Sequence, residues 1–341
     1  MKLFAKLLFF AVLLIGIWNY KLLNYFFSQA KGQIKVSWNA ENIDEIIERL
    51  PASDSLSLQL KLVLEIKKFA EDSLGLKKSD NYLHYYDQKG HTLMWMLMAA
   101  EPFEMKSYEW NYPLFGNFAY KGFFDKKKAE EENLELKQKG YDTEIGKAGG
   151  WSTLGWFKDP VLSNMLNAST GRLAELLIHE LTHGTMYVKN NVDFNENLAS
   201  CIGEKGSEMF LQHKYGLNSK ELINYKLHVT DDKIFEAYVY RCSHELIKLY
   251  KKIEKFSSQD KLRCKRQMIA RMVKDVEGLS LKDNKKYRKR MKQALASGNA
   301  FFLNYARYDF QKDSLKGIIE SKYNGNVKEF IVQLNKQFVS L

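Results

Sequence analysis

Residues 173–209 decide how the rest of the chain is interpreted, and they read LAELLIHELTHGTMYVKNNVDFNENLASCIGEKGSEM. The centre of this stretch is an H-E-x-x-H sequence formed by His179, Glu180 and His183. Residues four apart lie on the same face of a helix, so the two histidines can offer two imidazole nitrogens to one metal ion. Glu180 is placed to take a proton from a metal-bound water that attacks a carbonyl, and to return it to the leaving amine. The stretch therefore predicts a helix that carries two metal ligands and a general base.

A third ligand is expected after the histidines, because a catalytic zinc site has three protein ligands and an open fourth position. Apolar residues at helical intervals predict a first helix over residues 172–188, with a turn at residues 189–191. Asp193 or Asn195 would then cap a second helix. Two helices joined by a tight connection pack against each other, which brings Glu196 toward the histidine face. We predict that Glu196 completes a site for Zn²⁺.

Alternatives to this ligand set stay open at the level of sequence. Asp193, Glu204 and Glu208 are the rival carboxylates, and these residues or Ser200 would otherwise accept the second ring N–H of a ligand histidine. An H-E-x-x-H sequence also occurs by chance on helix surfaces. Its apolar flanks and the carboxylate-bearing helix that follows favour a metallopeptidase site.

The N-terminus has the charge pattern of a membrane anchor. Lys2 and Lys6 precede an unbroken apolar run over Leu7–Trp18. Basic residues stay on the cytoplasmic side, so we predict that residues 1–30 form a single-pass transmembrane anchor with the body of the protein on the extracytoplasmic (periplasmic) side. A signal peptide cleaved after Ser28-Gln29-Ala30 is the alternative.

The exported part, residues 31–341, is predicted to be one domain with a large core, because 45% of the 341 residues are apolar and 13% are aromatic. Residues 31–170 are predicted to be a mixed α/β part with short strands over residues 81–160 and a charged helix over Lys126–Lys139. The segment Gly149–Phe157 is a candidate strand that would form a wall of the substrate cleft. Residues 171–341 are predicted to be a helical part that holds the metal site, and its later helices are predicted at Leu222–Leu227, Asp232–Lys255, Asp260–Glu277, Lys282–Ala296 and Leu315–Gln337.

Charge and cysteine content exclude some classes of function. The net charge is +11, and it is concentrated partly in the basic run at residues 285–292. An exported protein rarely meets nucleic acid, so we expect no nucleic-acid partner and interpret the run as a solvated helix face, with contact to anionic lipid or cell-wall polymer as a weaker alternative. Cys201, Cys242 and Cys264 show no C-x-x-C spacing, and they are predicted to be free and buried.

A family resemblance is visible over nearly the whole exported part. The chain resembles a family of bacterial proteins classed as aminopeptidases, which are zincin-like and carry an H-E-L-x-H helix. Besides His179–His183, the matching segments are Gln29 with Gly32-Gln33, Phe69-Ala70, Leu74–Leu76, Tyr120–Asp125, Gly140–Asp142, Ser152–Pro160, Phe194–Glu196, Asn299-Ala300 and Tyr308. The resemblance implies a mainly helical α+β fold of the zincin type with a small antiparallel sheet, and zinc-dependent hydrolysis of peptides.

The chain departs from the family's pattern at its cysteines. Many relatives have a lipid-attachment cysteine near the N-terminus, whereas this chain has no cysteine before Cys201. Two further family cysteines correspond here to Asn111 and Asn117, and their joint absence is expected if they normally pair. Among the matching residues, Tyr308 is a candidate for stabilising the oxyanion of the reaction.

Three functions of different classes are compatible with the sequence. The first is a membrane-anchored zinc metallopeptidase, with peptide or protein as substrate and aminopeptidase action as the more specific expectation. The second is a zinc-binding envelope protein with a structural or chaperone-like role, against which the intact Glu180 argues. The third is a tethered binder of anionic polymers, which would need no metal.

Overall fold

The structure is a computed structural model that describes residues 20–112, 116–148, 158–189, 191–306 and 312–339. The apolar run Leu7–Trp18, the candidate cleft strand at 149–157 and Tyr308 lie outside the described residues. None of the helices in the described ranges combines the length and the apolar character that crossing a membrane requires.

Three helices begin the described part of the chain: α1 (Tyr20–Asn39), α2 (Ile43–Arg49) and α3 (Ser55–Asp72). The boundary predicted between the anchor (residues 1–30) and the exported domain (residues 31–341) falls inside α1. The starts of α2 and α3 follow from capping side chains, because Asn42 Oδ1 accepts a hydrogen bond from Asp44 N at 2.8 Å and Asp54 Oδ1 accepts one from Leu56 N at 2.8 Å.

Short strands form three small sheets in the described part of the chain, and six of these eight strands lie within residues 81–160, where short strands were predicted. The first sheet contains β1 (Glu41–Asn42), β2 (His84–Tyr86) and β8 (Val161–Leu162); the second contains β3 (Trp95–Ala100), β6 (Tyr120–Phe123) and β7 (Asp142–Lys147); the third contains β4 (Trp110–Tyr112) and β5 (Gly116–Phe118). The second and third sheets are antiparallel, with β3 between β6 and β7. The first sheet is mixed, because β2 and β8 run parallel.

The charged helix predicted before Gly140 is confirmed as α4 (Lys126–Gln138). Asp125 caps its start, and Gly140 follows its end with a φ of 91°, a backbone conformation that glycine adopts without strain. Ala129 and Leu136 are the buried positions of α4, and they pack against the second sheet.

The second half of the described chain is helical, as predicted. Its helices are α5 (Thr170–Thr185), α6 (Val192–Tyr215), α7 (Lys220–Lys252), α8 (Ser258–Asp275), α9 (Asn284–Lys292), α10 (Ala294–Ser297), α11 (Asn299–Ala306), α12 (Lys312–Tyr323) and α13 (Val327–Val339). The chain is thus a mainly helical α+β protein with small sheets.

Several predicted helix boundaries were wrong. The first metal helix ends at Thr185 and not at Val188, and Asn191 caps α6 by accepting a hydrogen bond from Phe194 N at 3.2 Å. The two helices predicted over residues 222–255 are a single helix, α7. The single helix predicted over residues 315–337 is instead two helices, because Asn324 and Gly325 adopt φ of 54° and 77° and end α12.

Three hydrophobic clusters hold these elements together. The largest joins α3, α5 and α6 with α12 and α13, and Leu60, Ile178 and Phe210 are fully buried in it. The second lies among α7 to α11 around Phe235 and Tyr287, and the third lies between the second sheet, α1 and α4. The H-E-x-x-H helix therefore has one apolar face in the largest cluster, which fixes its position.

Candidate metal centre

Helices α5 and α6 approach each other closely because glycine occupies the crossing point. A Cβ atom at Gly203 would lie 2.9 Å from the carbonyl oxygen of Glu175 and 3.2 Å from His179 Cβ. A Cβ at Gly206 would lie 3.1 Å from Ile178 Cδ1 of α5 and 2.6 Å from Leu74 Cδ1. Any larger side chain at these positions would push α6 away from the histidine-bearing helix.

The connection between the two helices is fastened by Asn195. Its side-chain oxygen accepts a hydrogen bond from Val188 N and its amide donates one to Val188 O, both at 2.8 Å. Asn195 is 2% exposed, so both bonds are shielded from water. The sequence had suggested Asn195 as a helix cap; instead it holds the connecting loop. The adjacent Glu196 is the fifth residue of α6, which starts at Val192, and its carboxylate lies within 3.6 Å of both histidines of α5.

The three predicted ligands meet at one point. His179 Nε2 lies 3.1 Å from His183 Nε2 and 3.5 Å from Glu196 Oε2, and His183 Nε2 lies 3.6 Å from Glu196 Oε1. Ligand atoms bound tetrahedrally to zinc at ordinary bond lengths are about 3.3–3.6 Å apart. His179, His183 and Glu196 form a group that could bind a metal ion, with the Nε2 atom of each imidazole as the donor.

The other ring nitrogens of the two histidines have different surroundings. Ser200 Oγ lies 3.5 Å from His179 Nδ1, which is the neighbour predicted for a ligand histidine. The Nδ1 atom of His183 is buried and has no hydrogen-bond partner among the described residues. The ring of His183 is instead held by its burial, since its side chain is 6% exposed.

Burial and neighbouring charges shift the pKa values of the ionisable groups at this site. Burial alone would raise the pKa of the Glu196 carboxyl, but the nearby imidazoles of His179 and His183 outweigh it and lower that pKa to about 2. Burial alone would lower the pKa of His179, but Glu196, Glu180 and Glu175 together raise it. Burial raises the pKa of Glu180, although both histidines oppose the rise. Glu180 thus lies close enough to His179, His183 and Glu196 for their charges to shift its pKa. It is not one of the three converging ligands.

The rival carboxylates lie elsewhere. Asp193 is exposed at the start of α6. Glu204 is 4% exposed and accepts a hydrogen bond from Lys316 Nζ at 2.7 Å, with Lys233 and Lys312 each 3.6 Å from its carboxylate. Glu208 lies 3.8 Å from Lys316. None of the three belongs to the group of ligand atoms found among the described residues.

A polar network beside the site was missed by the sequence analysis. Glu175 accepts hydrogen bonds from Arg172 Nη1 at 2.7 Å and from Tyr225 OH at 3.1 Å, and Arg172 also pairs with Asp232 of α7. The position of Glu175 one helical turn before His179 was the only sign of this network in the local sequence. Tyr225 and Asp232 lie 50 or more residues further along the chain, so the sequence did not indicate that they join Glu175 and Arg172.

The fold and this group define a class of protein: a mainly helical protein whose two central helices present two histidines and one glutamate that could bind a metal ion. The chain belongs to the family described as "Putative aminopeptidase", whose model matches residues 24–338. That family supports a peptidase function. A search of curated proteins and a search of solved structures each gave no match.

Proposed function

We propose that this protein is a zinc metallopeptidase in which His179, His183 and Glu196 hold the metal. The observation that carries the proposal is the convergence of two Nε2 atoms and one carboxylate at separations of 3.1–3.6 Å. Two imidazoles and one carboxylate are the donor set of many catalytic zinc sites. Membership of the family described above supports peptides as the substrate.

The residues around the metal have distinct roles in this proposal. A zinc ion held there would act as a Lewis acid and lower the pKa of a coordinated water. Glu180 accepts a proton from the attacking water and delivers it to the amine nitrogen that leaves. Burial raises the pKa of the Glu180 carboxyl, which makes the residue a stronger base than an exposed carboxylate. Ser200, beside His179 Nδ1, helps to orient the ring.

Aminopeptidase action is the more specific form of the proposal, and the family description supports it. An aminopeptidase must recognise a free α-amine, for which a carboxylate beside the cleft is the usual partner. We also propose that residues 1–30 anchor the protein in the cytoplasmic membrane with its body outside, from the charge pattern of Lys2, Lys6 and Leu7–Trp18.

The test combines metal analysis with a peptide assay on the full chain in detergent or nanodiscs. We expect one zinc per wild-type chain, loss of that zinc in Glu196→Ala, and full zinc content in Glu180→Gln. Glu208→Gln is the matched control, because this residue lies on the same helix outside the ligand group and should keep its metal. Full zinc occupancy in Glu196→Ala would contradict the ligand assignment.

The same proteins are then assayed on a peptide and on its N-acetylated form. Glu180→Gln should lose about 10²–10⁴-fold in rate, the usual contribution of a general base, without losing zinc. Loss of cleavage on acetylation indicates an aminopeptidase, and equal cleavage of both peptides indicates an endopeptidase. A zinc-loaded wild-type protein that cleaves no peptide of a broad panel would overturn the enzymatic proposal and favour a structural role for the metal.

A further inference from the structure

Helix α1 has an apolar face that the rest of the described structure leaves exposed. Its large apolar side chains are uncovered to an unusual degree: Tyr20 66%, Leu23 42%, Phe27 74%, Ile34 49% and Trp38 84%. At 3.6 residues per turn, these five positions fall within an arc of about 60° on a helix about 30 Å long. They form one continuous stripe, which we call the α1 stripe.

The opposite face of α1 is fixed to the second sheet, so the helix cannot turn its stripe inward. Tyr25 contacts the ring of Phe123 of the second sheet edge-on and the ring of Tyr112 of the third sheet, with ring centroids 5.7 and 5.8 Å away. Gln29 Nε2 donates a hydrogen bond to Gly122 O at 2.9 Å. At Gly32 a Cβ atom would collide with the ring of Phe124, so the glycine permits this close contact. The α1 stripe therefore points away from the body of the protein.

The charges of α1 are of one sign. Its sequence, YKLLNYFFSQAKGQIKVSWN, contains three lysines and no acidic residue. Lys21 is paired with Glu135 at 2.9 Å, whereas Lys31 and Lys35 are exposed and lie along one edge of the α1 stripe. Tyr20 and Trp38 stand at its two ends. An apolar face edged with lysine and ended by aromatic residues is the pattern of a helix that lies in a membrane surface.

We propose that the α1 stripe lies in the surface of an anionic lipid bilayer, with the helix axis along the membrane plane. Charge favours lipid over a second copy of the chain, because α1 has three lysines and no acidic residue of its own with which to pair the lysines of a second α1. The chain that leads into α1 adds to this, since its residues include the apolar run Leu7–Trp18.

The consequence is a defined orientation of the metal centre. Because α1 is fixed to the sheet, contact along the α1 stripe would hold the whole body at one angle to the bilayer, which an anchor that precedes α1 would not do by itself. The proposal narrows the membrane anchor proposed above: residues 20–30 belong to α1 and would lie along the bilayer surface, so only the part before Tyr20, with the apolar run Leu7–Trp18, would cross the bilayer. It is independent of zinc and of catalysis. Its failure would leave the peptidase proposal intact.

The experiment places a fluorophore on the stripe of the full chain. In a Cys264→Ser background, whose other two cysteines are buried, Ile34→Cys is labelled with an environment-sensitive dye. Leu217→Cys, at an exposed position between α6 and α7, is the control. Each protein is reconstituted into phosphatidylcholine vesicles with or without phosphatidylglycerol, which carry a spin-label quencher at a shallow or a deep acyl position.

We expect the label at position 34 to be quenched most by the shallow spin label, since interfacial helices sink about 5–10 Å into the headgroup and acyl boundary. The label at position 217 should not be quenched. Adding Phe27→Glu should abolish quenching at position 34 while the protein stays in the vesicle fraction, and Lys31→Glu with Lys35→Glu should remove the dependence on phosphatidylglycerol. An unquenched label at position 34, or disulfide cross-linking of unlabelled Ile34→Cys between two chains, would overturn the proposal.

Discussion

Glu144 shows what a single residue away from the metal can contribute. It lies on β7, and its Oε2 atom is buried without a hydrogen-bond partner among the described residues. Burial raises the pKa of this carboxyl to about 7, although the positive charge of Arg290 opposes the rise. Burial of a carboxyl group without a hydrogen-bond partner is much less costly in free energy when the group is protonated and neutral than when it is ionised.

The stability of the protein should therefore fall as the pH rises from the ordinary pKa of a glutamate toward the raised pKa of Glu144. The folded pKa of about 7 lies above the ordinary glutamate pKa of 4.5, so the folded state binds more protons than the unfolded state between these values. The favourable contribution is complete below pH 4.5, is lost progressively up to pH 7, and amounts to on the order of 2 kcal/mol after screening. Glu144→Gln should be more stable than the wild type at pH 8 and equal to it at pH 4, as measured by urea unfolding. The exposed Glu254→Gln should show no such difference, and parallel pH profiles for wild type and Glu144→Gln would contradict this account.

At the scale of elements, the pairing of α5 with α6 makes the site. The histidine spacing could be read from local sequence, because i and i+4 positions are local geometry. The tight connection to a second helix pointed to Glu196 as the nearby carboxylate, although α6 starts at Val192 and Glu196, its fifth residue, lies beyond the first turn. The close approach of the two helices could not be read from local sequence. It depends on Gly203 and on Asn195, whose contacts are set by the packing of the folded chain.

Helix ends were the least predictable part of the fold for the same reason. Asn191 and Asp193 are both good caps by residue type, and only the path of the loop selects Asn191. The unbroken α7 was predicted as two helices with a break over residues 228–231, yet Thr230 in that gap is helical and its hydroxyl donates a hydrogen bond to Lys226 O within the helix. The strands were predictable as a group from aromatic and β-branched content, but their pairing order was not.

Gly203→Ala should separate the two metal helices. The added Cβ would lie 2.9 Å from a backbone oxygen that cannot move without distorting α5. We expect a loss of about 1–3 kcal/mol in unfolding free energy, as for other overpacked contacts, together with weaker zinc binding because Glu196 is carried away from the histidines. Gly184→Ala is the matched control: it lies in α5, the helix that faces Gly203, its Cβ would meet only Asn81 Nδ2 at 4.0 Å, and helix propensity should make it neutral or slightly stabilising. Zinc titration with a competing chelator measures both variants, and unchanged affinity in Gly203→Ala would show that the helices can adjust.

At the scale of the whole molecule, a buried ion pair joins the sheet to the helices. Lys265 of α8 is bonded to Asp142 of β7 and donates a hydrogen bond to Pro102 O at 2.6 Å. Asp142 also accepts a hydrogen bond from Asn299 N at 2.6 Å, and the side chain of Asn299 donates to Glu101 O at 2.8 Å. The resemblance had marked residues 140–142 and 299–300 without giving them a role. The structure shows that they form one junction between the second sheet and the second hydrophobic cluster.

Breaking this junction should destabilise the protein more than any exposed ion pair does. The side chain of Lys265 is 3% exposed and that of Asp142 is 19% exposed, so Lys265→Met would leave a carboxylate with most of its surface buried and its counter-charge gone. Loss of one partner of a buried pair costs about 3–5 kcal/mol, whereas the exposed pair of Arg271 and Glu245 should cost less than about 1 kcal/mol in Arg271→Met. Urea unfolding of both variants gives the comparison.

The double variant Lys265→Met with Asp142→Asn should recover much of the loss, because the amide can still accept the hydrogen bond from Asn299 N and carries no charge. A double variant as unstable as Lys265→Met would show that the lysine acts through its bond to Pro102 O and its packing, and not through the charge of Asp142.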